Sequence, residues 1–480
     1  MRSQQAVYKP HPVEAFNGSP LIEAIRHALP LTEFAQAINV RPVLKSNLKT
    51  SDDFYRELSI ELIDTTYTMP PDLYTLYKSC VKHILIGYLH RNPLDIKTKK
   101  IQYLFATEKD YCIPDELNLS KCHSVIGLSG AGKTLSVRKC LAPIPQVIIH
   151  EGYKDHEFIQ KQIVWLEFEA PTNKTQRGFL LNFFLAVDSA VGTSYYDEWK
   201  KTTTVISVLI KEAKKIAYNH FIGLVFIDEI QRCVGTGNKA DMATLSFIDN
   251  FFNDVGIPMI VAGTYQVAPL YKTAMSTTRR LTSGRTFYYN GIENDLYLTN
   301  KSGQRTENVN PNSFWNVFID SLFHKNFLQN EFTFDIGLKE YIHYLTCGLP
   351  ALVVRLVRLA YEEAISSGIE TISTELLTDI YDDQFMMIHP ALDTLRSGRY
   401  SEYEDLIDLR IFLENSEHII DQQIQENIAF IQKTKNNNDD GLIAELEDQQ
   451  PEDYIPANDL RNLKGLDRKA LIKQLMGGRK

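Results

Sequence analysis

The chain has 480 residues, 44% of them hydrophobic and 23% charged, and a formal charge of −9. That length predicts two or three cores, and the balance is that of a globular protein rather than a disordered one. No window approaches eighteen consecutive apolar residues, which excludes a helical membrane span; the net acidity excludes a globally basic nucleic-acid binder but not a basic face.

The first residues, Met-Arg-Ser-Gln-Gln-Ala-Val-Tyr, lack the apolar core of a secretory signal. Cys80, Cys112, Cys122, Cys140, Cys233 and Cys347 form no Cys-x-x-Cys pair, so they read as separate thiols of a reduced, cytoplasmic chain. Residues 11–24 set apolar side chains between turn formers, as a packing arm would. Residues 52–67 and 72–91 read as helices, the second with Leu73, Leu76, Tyr77, Cys80, Val81 and Ile84 at helical spacing. An N-terminal arm and helical region is therefore expected over 1–99.

The pattern changes at about residue 100. Val125-Ile126, Val147–Ile149, Ile163–Phe168, Leu224–Ile227 and Met259–Ala262 are short apolar runs suited to strands buried on both faces, and 177–190 and 202–217 are helix-like. Strands interleaved with helices predict an α/β nucleotide-binding domain with a parallel sheet over 100–300. Helix-like stretches at 312–328, 335–347, 350–367 and 373–385 predict a helical domain over 301–400, and 402–432 a further helical region within 401–435. From 436 the composition becomes acidic and then basic. Residues 439–453 hold seven acids and no base, and the last twenty residues carry Arg461, Lys464, Arg468, Lys469 and Lys473 among leucines. A disordered tail is expected there, with a short docking helix as the sharper reading.

The chemistry is concentrated in Gly127-Leu-Ser-Gly-Ala-Gly-Lys-Thr134, a complete G-x-x-x-x-G-K-[ST] phosphate loop between an apolar run and a helix-forming stretch. Gly127, Ser129, Gly130, Ala131, Gly132, Lys133, Thr134 and Leu135 are the expected nucleotide-binding residues. Their backbone amides would cradle the phosphates of ATP, Lys133 would reach the β- and γ-phosphates, and the Thr134 hydroxyl would ligate Mg²⁺. Leu224–Ile227 delivers Asp228 and Glu229, the first a ligand for the Mg²⁺ shell and the second a base for the attacking water. Thr264, at the end of another apolar run, reads either as a γ-phosphate sensor or as a turn residue. Arg279 and Arg280 read as fingers acting on a neighbouring subunit's nucleotide, or equally as surface or DNA-facing cations. Lys174, Thr175 and Arg177 could offer hydroxyl and charge to a nucleic-acid backbone, although surface charge on a loop is the commoner explanation.

The phosphate loop, the strand ending Asp228-Glu229-Ile230-Gln231 and the strand ending Gly263-Thr264 resemble the TnsC/TniB group of AAA+ transposition regulators. Pro20-Leu21-Ile22-Glu23-Ala24, His389-Pro390-Ala391-Leu392-Asp393-Thr394-Leu395-Arg396-Ser397-Gly398 and Tyr403-Glu404-Asp405-Leu406 extend the likeness over roughly residues 7–410, nearer TnsC than the shorter TniB. The resemblance implies an AAA+ core followed by a helical lid, with helical extensions on either side. It implies an ATPase that assembles as a ring or filament on double-stranded DNA, binds a TniQ/TnsD-type target selector, and recruits the TnsA and TnsB transposase subunits. It also matches 172–177 to a DNA-facing region. One departure stands out: Ala351 occupies the position after Pro350 where such lids carry a sensor arginine, leaving Arg355 or Arg358 as substitutes and implying slow, regulatory hydrolysis. A helicase-loader-like remodelling ATPase shares the same core, and a small-molecule kinase shares the phosphate loop but not Glu229 or the lid.

Overall fold

The computed structural model describes residues 3–44, 47–107, 112–114, 117–201, 203–233, 247–248, 250–267, 283–299, 305–330, 332 and 334–397. Arg279, Arg280, the expected helix at 402–432 and the tail from 436 lie outside the described residues.

From the N terminus come strand β1 (Ser3–Gln5) and helices α1 (Pro20–Glu23), α2 (Leu31–Ile38), α3 (Asp53–Ile60), α4 (Leu73–Tyr88) and α5 (Ile96–Thr107). The α/β region follows with β2 (Cys122–Gly127), α6 (Lys133–Leu141), β3 (Val147–His150), β4 (Gln160–Ile163), β5 (Trp165–Glu169), α7 (Gln176–Val191), α8 (Tyr195–Trp199), α9 (Ile206–Asn219), β6 (Leu224–Asp228), β7 (Met259–Gly263) and β8 (Thr286–Tyr289). A hairpin, β9 (Tyr297–Thr299) and β10 (Arg305–Val309), leads to α10 (Phe314–Leu322), α11 (Ile336–Thr346), α12 (Pro350–Ser366), α13 (Thr374–Gln384) and α14 (His389–Ser397).

Five parallel strands form the central sheet in the order β5-β6-β7-β2-β8. Every residue of β2, β6 and β7 is buried, which is why β7 and β6 up to Ile227 read as continuous apolar runs rather than alternating ones, whereas β2 carries the buried polar His123 and Ser124 ahead of Val125-Ile126. Their side chains nevertheless divide between two cores. Ile126, Val225, Ile227, Met259 and Val261 pack with helices α5, α7 and α9. Val125, Phe226, Ile260 and Ala262 pack with α1, α2, α4 and α6. Each fully buried Val, Leu, Ile or Phe is worth about 1.5–3 kcal/mol, so the two-sided sheet is the main stabilising layer.

Several expected elements are redrawn. The single strand expected over Ile163–Phe168 is two: the chain turns at Val164, whose amide donates to Gln146 O at 2.8 Å. On one side β4 pairs antiparallel with β3, and on the other β5 joins the central sheet. The Val147–Ile149 strand accordingly belongs to a separate sheet, β1-β3-β4, closed by the N-terminal arm. The helix expected over 52–67 is α-helical only to Ile60 and continues as a 3-10 turn to Thr65. Helix 312–328 ends at Leu322. Helix α5 runs across the expected boundary near residue 99.

The N-terminal region is divided between the two halves of the molecule. Helix α4 packs on the α/β sheet, where the Tyr88 hydroxyl donates to Phe221 O at 2.6 Å. Helix α3 packs on the lid helix α12 instead. Arg56 anchors it: fully buried, its guanidinium donates to Glu370 at 2.7 and 2.5 Å, to Asp53 at 2.9 Å and to Phe327 O at 2.9 and 3.1 Å. Two described segments, Pro20–Glu23 and α14, pack down in the same way. Pro20–Glu23 is wholly buried, and Arg396 of α14 donates to Tyr344 O and the Tyr381 hydroxyl.

Candidate nucleotide site

Because the central strands are parallel and in register, their C-terminal ends lie along one edge. Ile126 pairs with Gly263, Gly127 with Tyr289, and Glu169 with Asp228. The phosphate loop, Asp228, Glu229 and Thr264 therefore share the edge at which open α/β sheets bind ligands. Strand β7, which ends at Gly263 just before Thr264, lies between the other two.

The loop needs its glycines for distinct reasons. A Cβ on Gly127 would stand 1.8 Å from Tyr289 O, the same oxygen that accepts from Leu128 N–H at 2.9 Å. Gly130 and Gly132 hold φ of 76° and 86°, in the left-handed region open to glycine at least cost. Gly132 is also the cap of α6, so the turn runs straight into a helix N-terminus. The Lys133 ammonium donates to Gly127 O at 3.1 Å and Leu128 O at 2.7 Å, folded over the loop's own carbonyls. Thr134 follows it in the first turn of α6; Ser129 and Leu135 are exposed and Ala131 is buried.

At the end of β6, Asp228 is 4% exposed and accepts from Glu229 N–H at 2.9 Å through Oδ1. Glu229 sits at φ 54°, an unusual conformation for a glutamate. A 3-10 turn, Ile230–Cys233, follows, closed by Arg232 N–H on Glu229 O at 2.9 Å. The Thr264 hydroxyl is buried without a hydrogen-bond partner among the described residues. Two ion pairs flank this edge: Arg138 of α6 meets Glu167 at 2.5 Å, and Arg232 meets Glu169 at 2.5 Å.

These residues fit a magnesium–triphosphate. A hydroxyl at Thr134 and a carboxylate at Asp228 are hard oxygen donors suited to Mg²⁺. Lys133 and the α6 terminus supply positive charge, and the orphan Thr264 hydroxyl is a polar group that a phosphate oxygen or water would satisfy.

The lid begins directly over the loop. Ala351 N–H donates to Gly130 O at 3.2 Å, and a Cβ on Gly130 would lie 3.3 Å from the Ala351 Cβ. The expected substitution of Arg355 or Arg358 for a sensor arginine is not what the lid adopts. Arg355 donates to Gln384 O at 3.0 Å and covers the Phe385 ring, while Arg358 pairs with Glu61 and Glu362 at 2.9 and 2.8 Å. Four and seven residues beyond Ala351 they stand roughly 6 and 10 Å further along the helix axis, beside other partners.

The loop weighed as a nucleic-acid contact has local duties. Thr175 caps α7 by accepting from Gly178 N–H at 3.0 Å. Arg177 donates to Thr204 O at 2.9 Å and to the carbonyls of Lys200 and Lys201. Lys174 is exposed at φ 56°. Sequence reasoning singled out no role for Gln231, whose carboxamide joins Glu229 to the backbone of Thr264; its position two residues after Glu229 was the available signal.

Of the six cysteines Cys80, Cys122, Cys140 and Cys233 are buried, Cys112 is exposed and Cys347 half-buried. No group of three or more His, Cys, Asp or Glu side chains among the described residues could hold a metal by themselves. No described helix is long and apolar enough to cross a membrane.

Residues 118–270 match the family model described as an AAA domain. No curated protein matches the chain. Among solved structures, the chain is similar to the ORC2 protein of Aeropyrum pernix in its ADPNP–ADP complexes, at 12% identity and a TM-score of 0.34 over 60% of this chain and 68% of that one. It is similar to the Walker-type ATPase paby2304 of Pyrococcus abyssi at 11% identity and TM-score 0.34, over 65% and 78%. The ORC1 protein of Aeropyrum pernix in complex with DNA gives 10% identity and TM-score 0.34, over 62% and 68%. Likeness at that level carries nothing about ligand or partner. The matched segment spans the phosphate loop, Asp228-Glu229 and Thr264, and with the parallel five-stranded sheet and the helical lid it gives this chain the AAA+ P-loop fold.

Proposed function

We propose that this chain is an ATP-driven switch that assembles on double-stranded DNA and regulates transposition in the manner of TnsC. The observation that carries the ATPase half is the convergence of Lys133, Asp228, Glu229 and Thr264 on one sheet edge beneath the lid. In this reading the loop amides and Lys133 hold the β- and γ-phosphates, and Thr134 and Asp228 hold Mg²⁺, which neutralises phosphate charge when bound. Glu229 takes a proton from water as its oxygen bonds to the γ-phosphorus and the bond to the β–γ bridging oxygen breaks. Thr264 orients that water or the γ-phosphate. Arg279 or Arg280 of a neighbouring copy completes the site, and Lys174 and its loop face DNA phosphates.

The transposition half rests on the sequence likeness at residues 20–24 and 389–406. ATP favours the ring or filament, a TniQ/TnsD-type selector directs it to the target, and TnsA and TnsB dock on it. Hydrolysis is slow and resets the assembly, consistent with Ala351 at the sensor position. The protein then works in the bacterial cytoplasm, on DNA. A helicase-loader-like remodeller is the competing reading, since it would use the same core.

Electron microscopy with linear duplex DNA and a non-hydrolysable ATP analogue should give rings or filaments, and Glu229→Gln should trap them with ordinary ATP. Only monomers, with turnover indifferent to DNA, would sink the DNA-switch reading. Loading of a replicative helicase without any effect on transposase-mediated insertion would favour the competing one.

A further inference from the structure

We infer that Gln231 is a positioning residue that ties the Glu229 carboxylate to the end of β7, so that the hydrolytic base and Thr264 move as one unit. The inference rests on the ATPase reading above and deepens it.

The Gln231 carboxamide spans two strands. Its Nε2 donates to Glu229 Oε2 in a short contact, and its Oε1 accepts from Thr264 N–H at 3.2 Å. Only one orientation of the amide satisfies this pair. Flipped, it would set oxygen against carboxylate and N–H against N–H. Neither Glu, which would face a second carboxylate, nor Leu, which has no polar atoms, can replace it.

The neighbourhood is shaped around that bridge. A Cβ on Gly263 would lie 2.7 Å from Gln231 Oε1 and 2.8 Å from Ile230 Cγ2, so glycine at the end of β7 is what lets the carboxamide reach Thr264 N–H. On the other side, Glu229 at φ 54° is pinned by its own N–H on Asp228 and its carbonyl on Arg232. The backbone is thereby fixed, and the carboxylate is held by Gln231. Strand β7 lies between the strand of the phosphate loop and that of Asp228. A displacement of Thr264 by a phosphate oxygen therefore passes through one side chain to the base.

The test is a double-mutant cycle on steady-state and single-turnover ATP hydrolysis, with nucleotide affinity and thermal midpoint measured on the same full-chain proteins. Gln231→Ala should lower kcat by about 10–100-fold, the range of a lost positioning contact on a catalytic base, with KM and nucleotide affinity within about three-fold. Gly263→Ala should lower kcat on its own because it displaces the carboxamide, and its cost should shrink once Gln231 is alanine, to what the crowding of Ile230 Cγ2 accounts for. A merely structural role predicts losses that multiply and track the thermal midpoint; that result, or a Gln231→Ala kcat within two-fold of the parent, overturns the inference. A parent protein that binds ATP and does not hydrolyse it under any DNA condition overturns the ATPase reading itself, and this inference with it.

Discussion

His83→Leu should make the protein markedly less sensitive to acid. His83 on α4 and His123 on β2, the strand that carries the phosphate loop, are buried with ring centroids 4.5 Å apart. His123 Nδ1 accepts from Arg285 N–H at 2.8 Å, shorter than its 3.3 Å approach to Arg285 O, so the neutral ring carries its proton on Nε2. That nitrogen and His83 Nδ1 are buried without partners among the described residues. Burial is the main cause that pulls both imidazoles down to about 4; repulsion from His123, Lys121 and Lys82 adds to it at His83, while at His123 the backbone contact to Arg285 works against it and repulsion from Arg285 and Lys121 adds to it. Their folded pKa lies below the unfolded value near 6.5, so the unfolded chain binds more protons between those limits. Stability is complete above about pH 6.5 and is lost as pH falls toward 4. For one imidazole shifted from 6.5 to about 4, the loss between pH 8 and pH 5 is about 2 kcal/mol. Urea unfolding at pH 8, 7, 6 and 5 on parent, His83→Leu and the more polar His83→Gln measures it, because carboxylate titration is common to all three and cancels. Each variant should retain about 2 kcal/mol more of its pH 8 stability at pH 5 than the parent does. A difference below about 0.5 kcal/mol would show that the pair is not charged on unfolding as argued.

Two further substitutions probe how the site is held. Arg56→Ala leaves the Glu370 carboxylate, 11% exposed, without its partner and should destabilise the chain by about 3–5 kcal/mol, read as a lower urea midpoint; Arg56→Lys should recover only part of this, since one ammonium cannot reproduce the fork on Glu370 and Phe327 O. Gly127→Ala forces a methyl onto Tyr289 O, so it should separate β2 from β8 and abolish ATP-analogue binding by fluorescence titration; near-parental affinity would mean that the loop does not depend on this close approach.

The nucleotide core was legible from the residues alone. The phosphate loop, the apolar runs ending at Asp228 and at Gly263, and the lid helices after residue 310 were legible because their signals are local: glycine spacing, unbroken apolarity and helical periodicity. Tertiary structure alone decided the rest. Ile163–Phe168 is one apolar run in sequence, but hydrogen bonds to different partners divide it between two sheets. Residues 52–65 look like part of an N-terminal unit, yet Arg56 joins them to Glu370, 314 positions away, on the lid. Arg355 and Arg358 stood at plausible distances from Pro350 in sequence, and only their partners on Gln384, Glu61 and Glu362 assign them elsewhere. Gln231 shows the same limit at the site itself. Its neighbours in sequence reveal a turn, whereas its bond to Thr264 N–H exists only because parallel pairing sets the end of β7 beside that of β6.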